Sequence, residues 1–170
     1  MPRDGWPMSE RDDAQMPYRF DPMSQQQAHA IAAWQYAPPY DFYDAVADAE
    51  DLAELLDPVQ RAGRYFAVLS ERDPDGLVGF FAFTCEGDAV EVGLGLRPDL
   101  TDRGLGLAFL LAGLAFAREE FAPARFRLAV AAFNQRAICV YERAGFRQGA
   151  SYLHRTNGSE HTFVRMERPA

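Results

Sequence analysis

At 170 residues, with 48% hydrophobic and 25% charged side chains, the chain is long enough for one domain with a real core and too balanced for wholesale disorder. Its 25 acidic and 17 basic residues give a formal charge of −8, the wrong sign for a protein that lives on nucleic-acid phosphates or an anionic membrane. Every basic residue is arginine, which excludes a Schiff-base or phosphate-loop lysine, and two cysteines, Cys85 and Cys139, cannot frame a disulfide scaffold.

Residues 1–15 are polar, with two prolines and no apolar stretch, and read as a loose extension lacking the apolar core of an export signal. The domain itself is expected over 16–170. A short extended segment at 18–22 leads to Ser24 and Gln27, a capping box that opens a helix running towards Trp34. Pro38 and Pro39 end it. A second helix is expected at 41–56, with Phe42, Val46, Ala49, Leu52 and Leu56 on one face and Asp41, Asp44, Asp48 and Asp51 on the other. Strands follow at 64–70, 77–84 and 89–96, the first two joined by a hairpin turn at 73–76. A long helix then runs from about Gly104 to Glu120. Its uncharged stretch, 104–117, is 14 residues, short of the roughly 20 that a membrane span needs. A weakly charged strand at 126–132 precedes a helix at 134–144 that Gly145 stops. Strands at 146–153 and 161–166 close the chain around Asn157 and Gly158. The order is mixed α/β, a single domain expected in the cytoplasm.

Two segments carry chemistry. In the first, a strand passes through Arg97 and Pro98 into a short loop and then Gly104-Leu105-Gly106 at the head of the long helix. Glycines there let backbone N–H groups approach a ligand, and a helix N-terminus carries about half a positive charge, so phosphate is held readily. An isolated G-x-G is equally an ordinary tight turn. The dinucleotide fingerprint fails because position 109 is Phe, and the G-x-x-x-x-G-K-[ST] spacing is absent. In the second segment, Asn134, Ala137 and Tyr141 stand at i, i+3 and i+7, one line of a helix at the end of a buried strand. Taken alone, that line is also an edge tyrosine and a helix-capping asparagine.

Together the two segments resemble the GNAT superfamily of acyl-CoA-dependent N-acetyltransferases. The run from Glu91 through Val92, Gly93, Leu94, Gly95 and Leu96 to Gly106 is similar to the family's strand, phosphate loop and helix. The run from Asn134 through Ala137, Tyr141 and Glu142 to Gly145 and Phe146 is similar to its N-x-x-A-x-x-x-Y-E-x-x-G-F segment. The resemblance implies one domain: a central, mostly antiparallel twisted sheet, splayed at the cofactor site and flanked by about four helices. It implies acetyl-CoA as acyl donor, no metal, and a homodimer by analogy with the fold.

By resemblance, the backbone at Leu94, Gly95 and Leu96 faces pantetheine and the thioester oxygen. Thr101, Asp102, Arg103, Gly104, Leu105, Gly106 and Leu107 cradle the phosphates, Asn134 bonds the pantetheine arm, and Tyr141 is the general acid to the CoA sulfur. A phenol with an ordinary pKa near 10 keeps its proton at neutral pH and can donate it as a thiolate leaves. Glu91 is the candidate base, acting through water, and is equally an outward-facing strand residue. Thr101 and Asp102 depart from the family, which favours Gln or Arg at the first position and often a basic residue at the second. Cys139 is expected to be a buried small residue rather than an acyl carrier.

The acceptor region holds Trp34, Tyr36, Tyr40 and Tyr43 beside seven acidic residues and no basic one between positions 41 and 57. Rings with carboxylates would suit a cationic amine; they are also what a core with a solvated helix face looks like. The alternative to an enzyme is a module of the same fold that binds acyl-CoA or a partner chain without turnover.

Overall fold

The computed structural model describes residues 18–73 and 76–170, so the expected extension at 1–15 and the centre of the 73–76 turn lie outside it. Seven strands form one sheet: β1 (Tyr18–Pro22), β2 (Tyr65–Ser70), β3 (Leu77–Glu86), β4 (Ala89–Leu96), β5 (Arg125–Ala131), β6 (Arg147–Thr156) and β7 (Ser159–Pro169). Their order is β1-β2-β3-β4-β5-β7-β6, antiparallel throughout except for β4 beside β5. Alternation along the strands sends Phe81, Phe83, Val90 and Val92 to one face, where α4 (Gly106–Phe121) buries Phe109, Leu110, Leu114 and Ala117 against them. The uncharged stretch that is too short for a membrane thus becomes the central core helix, and no helix among the described residues is long and apolar enough to cross one. α5 (Gln135–Arg143) lies beside α4. On the opposite face, α1 (Gln25–Ala32) and α2 (Ala49–Leu56) pack Ala28, Ile31 and Leu55 over Ala67. The fold is the expected splayed, mostly antiparallel α/β domain.

The splay has a definite length. β4 and β5 pair at only three positions, Ala89↔Arg125, Val90↔Phe126 and Glu91↔Arg127. Beyond Glu91, β4 keeps its pairing to β3 as far as Leu96, while β5 stays with β7 as far as Ala131. The two strands separate, leaving an open seam with backbone groups along one edge of β4.

The helix expected at 41–56 is broken. Tyr40–Tyr43 and Ala45–Ala47 are single 3-10 turns, and α2 starts only at Ala49. The cause lies in the aspartates of its supposed polar face. Asp48 accepts hydrogen bonds from the Glu50 and Asp51 backbone N–H groups at 2.9 and 3.3 Å, a helix cap. Asp44 accepts from the Tyr36 N–H at 2.9 Å, pinning the chain that leaves α1. Short side-chain acceptors that compete for backbone donors begin helices rather than continue them. A further short helix, α3 (Pro58–Arg61), was not expected; Asp57 caps it and Pro58 takes the first position.

Candidate functional site

Where β4 and β5 part, a cavity of about 580 Å³ opens between the C-terminal half of β4, the 101–106 loop and the line of α5 that carries Asn134, Ala137 and Tyr141. α4 begins at Gly106, two residues later than expected, with Leu105 before it and no side chain capping its first N–H groups. Gly104 has φ +73°, which turns the loop so that Gly104, Leu105 and Gly106 line the cavity with backbone. These uncapped donors at the head of a 16-residue helix suit an anion. Thr101 neither caps the helix nor offers a free hydroxyl: it donates to Pro98 O at 2.7 Å and holds the loop's shape. Asn134 is buried and lines the cavity; its Oδ1 accepts from Ala137 N–H at 3.1 Å, and its amide N–H₂ faces the Tyr43 hydroxyl. Tyr141 is half-buried against Phe146, and burial, aided by the nearby Tyr43 hydroxyl, pushes its pKa above the usual phenol value.

A second cavity, of about 320 Å³, lies on the other side of the seam. Its walls come from Trp34, Phe42, Tyr65, Phe80 and Phe163, its polar groups from Asp44, Asp51 and His154. Tyr36, Tyr43, Gly93 and Leu94 line both cavities, so the two spaces meet across β4. The Tyr36 hydroxyl donates to Leu96 O at 2.8 Å, tying the segment after α1 to the end of β4. Tyr43 is pushed above its ordinary pKa by burial, with Asn134 and the Ala131 backbone pulling it back through hydrogen bonds. Burial also raises the Asp51 carboxyl; Asp48 and Glu54 push the same way, and His154 opposes them.

The far wall of this second cavity is tied down at long range. Asp48 accepts from Thr156 Oγ1 at 2.9 Å and Asn157 N–H at 3.0 Å, and Asn157 Nδ2 donates to Phe42 O at 2.9 Å. The tip of the β6–β7 hairpin is thereby fixed to the start of α2. Hydrogen bonds from Asn157 and Thr156, then from Glu50 and Asp51, hold the Asp48 carboxyl down at about 2. A pKa lowered by folding contributes stability above the unfolded value near 4 that is lost as pH falls through about 2. Asp48→Asn should therefore be less stable than wild type at pH 7, and the gap should narrow between pH 4 and 2. Urea midpoints at pH 7, 4 and 2.5 check this; a gap independent of pH would remove the ionised carboxylate from the tie.

The structure gathers most of the expected residues and separates a few. Leu94, Gly95, Leu96, Thr101, Asp102, Gly104, Leu105, Gly106, Asn134 and Tyr141 line the first cavity, with Tyr36, Tyr40 and Tyr43. Trp34 lines only the second. Arg103 is exposed and outside both, and Leu107 packs on the core. Glu91 lines neither cavity; it faces an open basin on the sheet beside Arg125, Arg127 and Glu167. Cys139 is exposed rather than buried, because it falls between the two packed lines of α5. Arg136 and His154 do not stand out in the sequence, and Asp51 does so only as one of the acids between 41 and 57. Only the i+2 place of Arg136 after Asn134 marked the first, and no sequence spacing joins the other two.

Comparison with known proteins agrees with this geometry. The domain family described as Acetyltransferase (GNAT) domain matches residues 7–147. A mycothiol acetyltransferase from Clavibacter sepedonicus is 42% identical over 86 residues, 49% of this chain, and the match spans only 28% of that relative. Among solved structures, a GNAT-family acetyltransferase from Bacillus anthracis superposes with a TM-score of 0.69 at 15% identity, over 89% of this chain and 94% of that one. A Vibrio cholerae spermidine N-acetyltransferase in complex with CoA and spermine gives 0.70 at 16%, over 89% and 95%. With a family match over most of its length and a sheet that splays around the 580 Å³ cavity, the chain belongs to the GNAT acetyltransferases.

Proposed function

We propose that the chain transfers an acetyl group from acetyl-CoA to the primary amine of a cationic small molecule. The observation that carries this reading is the meeting of the two cavities at Tyr36, Tyr43, Gly93 and Leu94. An arm entering along the open edge of β4 brings its reactive end to the wall of the second cavity, where an amine would wait. The donor, when bound, supplies an activated acyl group; the remaining steps belong to the chain. Uncapped N–H groups at the head of α4 hold phosphate, and the free edge of β4 offers N–H groups to the pantetheine amides and the carbonyl oxygen. The Asn134 amide bonds the arm. The ammonium first gives a proton to water, since only the neutral amine can attack. As its nitrogen bonds to the carbonyl carbon and the carbon–sulfur bond breaks, Tyr141 gives its proton to sulfur and is reprotonated, through water, by the proton that the new amide nitrogen sheds.

Selection of the acceptor follows from the second cavity, whose lining has two carboxylates, Asp44 and Asp51, and no arginine. Asp44 already accepts from Tyr36 N–H, which leaves Asp51 as the carboxylate that a cation would relieve of like-charge crowding. The 320 Å³ volume sits at the small end of the ligand-pocket range, so a compact amine fits best. The named activities of the relatives, on mycothiol and spermidine, are in keeping with amine acceptors. Glu91 lies outside this cavity's lining, two residues before Gly93, and is not needed as a direct base in this reading.

The test is acceptor-dependent release of free CoA thiol across polyamines, aminoglycosides, amino acids and short peptides. Turnover confined to cationic acceptors, with a KM raised roughly five- to tenfold in Asp51→Asn, is the expected result; that factor is the worth of one partly exposed charge contact of about 1 kcal/mol. Turnover favouring acidic or neutral acceptors would overturn the assignment of the second cavity.

A further inference from the structure

The lining of the donor cavity contains one fixed cation among the described residues, and it is not in the phosphate loop. Arg103, the only basic residue between Thr101 and Gly106, is exposed and outside the lining; Arg136, the second residue of α5, lines the cavity instead. Asp102 is the one carboxylate in the same lining. An acidic residue here opposes an arriving anion, and its geometry shows what it does instead.

Asp102 takes up a left-handed backbone conformation, φ +59°, which is unusual for a residue with a side chain. Its two carboxylate oxygens both accept from Arg136 Nη1, at 2.9 Å each. Only one guanidinium nitrogen is engaged; Nη2 and Nε make no hydrogen bond among the described residues. The plane of the group is fixed by a second contact, since Arg136 Cζ lies 3.7 Å from the centroid of the Tyr40 ring. The pair is not a stabilising strut, because the two side chains are 32% and 70% exposed and such pairs contribute little to folding. It is an orienting device: carboxylate on one nitrogen, aromatic face beneath, and two donors of a fork left unused on a side chain that lines the same cavity as the bare N–H groups at the head of α4.

We infer that Arg136 is a ligand for a phosphate of the acyl donor, held in readiness by Asp102 and Tyr40. The inference rests on acyl-CoA being the donor. It accounts for Asp102, which becomes the partner that keeps the guanidinium in the cleft rather than a defect in the loop. A planar fork suits a phosphate better than a point charge does, because two parallel N–H bonds reach two oxygens at once.

Binding of CoA, dephospho-CoA and pantetheine to wild type, Arg136→Gln, Arg136→Lys and Asp102→Asn, measured by calorimetry, tests it without any acceptor. Arg136→Gln should weaken CoA by roughly 10- to 50-fold, the loss of a charge-assisted fork, and leave pantetheine unchanged. Arg136→Lys, which keeps the charge but not the fork, should fall between. Asp102→Asn should cost less than Arg136→Gln and add nothing in the double variant, because it acts only through Arg136. A loss retained with dephospho-CoA assigns the pyrophosphate; a loss seen only with CoA assigns the 3′-phosphate; either supports the inference. Equal weakening of pantetheine, or CoA affinity indifferent to Arg136, overturns it while leaving the donor reading intact. Failure of wild type to bind CoA at all would overturn the donor reading and the inference with it.

Discussion

Tyr141→Phe is expected to lower kcat by roughly 100-fold, the usual worth of a positioned proton donor, while the Kd for acetyl-CoA stays within about twofold. The ring is part of the core edge, packed with Phe146 and the residues around it, and phenylalanine keeps that packing. What disappears is one hydroxyl from a side chain that lines the 580 Å³ cavity. Burial raises its pKa, so the group is fully protonated at pH 7 and remains so well into the alkaline range. The sign follows: an acid whose pKa is raised imposes no loss of rate through neutrality, and any fall on the alkaline side lies above pH 10. Thiol release with a competent acceptor, run beside calorimetric donor binding, separates the two effects. A variant with wild-type kcat removes Tyr141 from proton transfer; one that also loses donor affinity assigns it to packing.

The largest effect on stability is expected at Phe81. Its side chain is fully buried between β3 and α4, stacked on Phe83 at 5.5 Å and tilted against Phe109 at 4.9 Å. Removing such a ring costs about 3–5 kcal/mol, made up of lost transfer energy and the cavity left behind. α4 comes this close only because position 113 is glycine; a Cβ built there would lie 2.1 Å from Phe81 Cζ, far inside contact distance. Gly113→Val alone should therefore cost roughly 1–3 kcal/mol by overpacking. Combined with Phe81→Ala, the valine methyls enter the vacated space, so the double variant should be more stable than the sum of the two losses allows. Urea denaturation of the four proteins of this cycle gives the coupling directly. Additive losses would mean that the helix shifts away from the sheet rather than repacking.

The sequence was most informative where local rules and burial agree. The strand, glycine loop and long apolar helix lie close to where their patterns placed them, because Val90, Val92, Phe109 and Leu114 obey two periods that converge on one core. The helix-capping reading of Asn134 was legible too: its Oδ1 accepts from Ala137 N–H at the start of α5. The reading failed where side chains compete for backbone. An apolar stripe at 41–56 suits a helix, yet Asp44 and Asp48 spend their carboxylates on Tyr36, Thr156 and Asn157, partners 8 to 109 residues away that no local window contains. Arg136 escaped for the same reason, since its partner Asp102 lies 34 positions earlier. Cys139 shows the limit of residue-type averages: cysteine is usually buried, but its place on α5 turns it to solvent.

The three-position pairing of β4 with β5 also has a mechanical side. β1 to β4 form one antiparallel ribbon with α4 resting on it, and β5, β7 and β6 form another with α5 against β6. Between the ribbons, the sheet's continuity rests on the ladder at 89–91 and 125–127, at one end of the seam. Elsewhere the two ribbons are joined by the shared core and by α4 against α5, so the seam is a place where backbone pairing gives way to side-chain packing. The Asp48 tie and the contact of Arg136 with Tyr40 both join parts of the two sides across the opening. Side chains at the mouth thus hold the groove at the end where the backbone ladder does not reach.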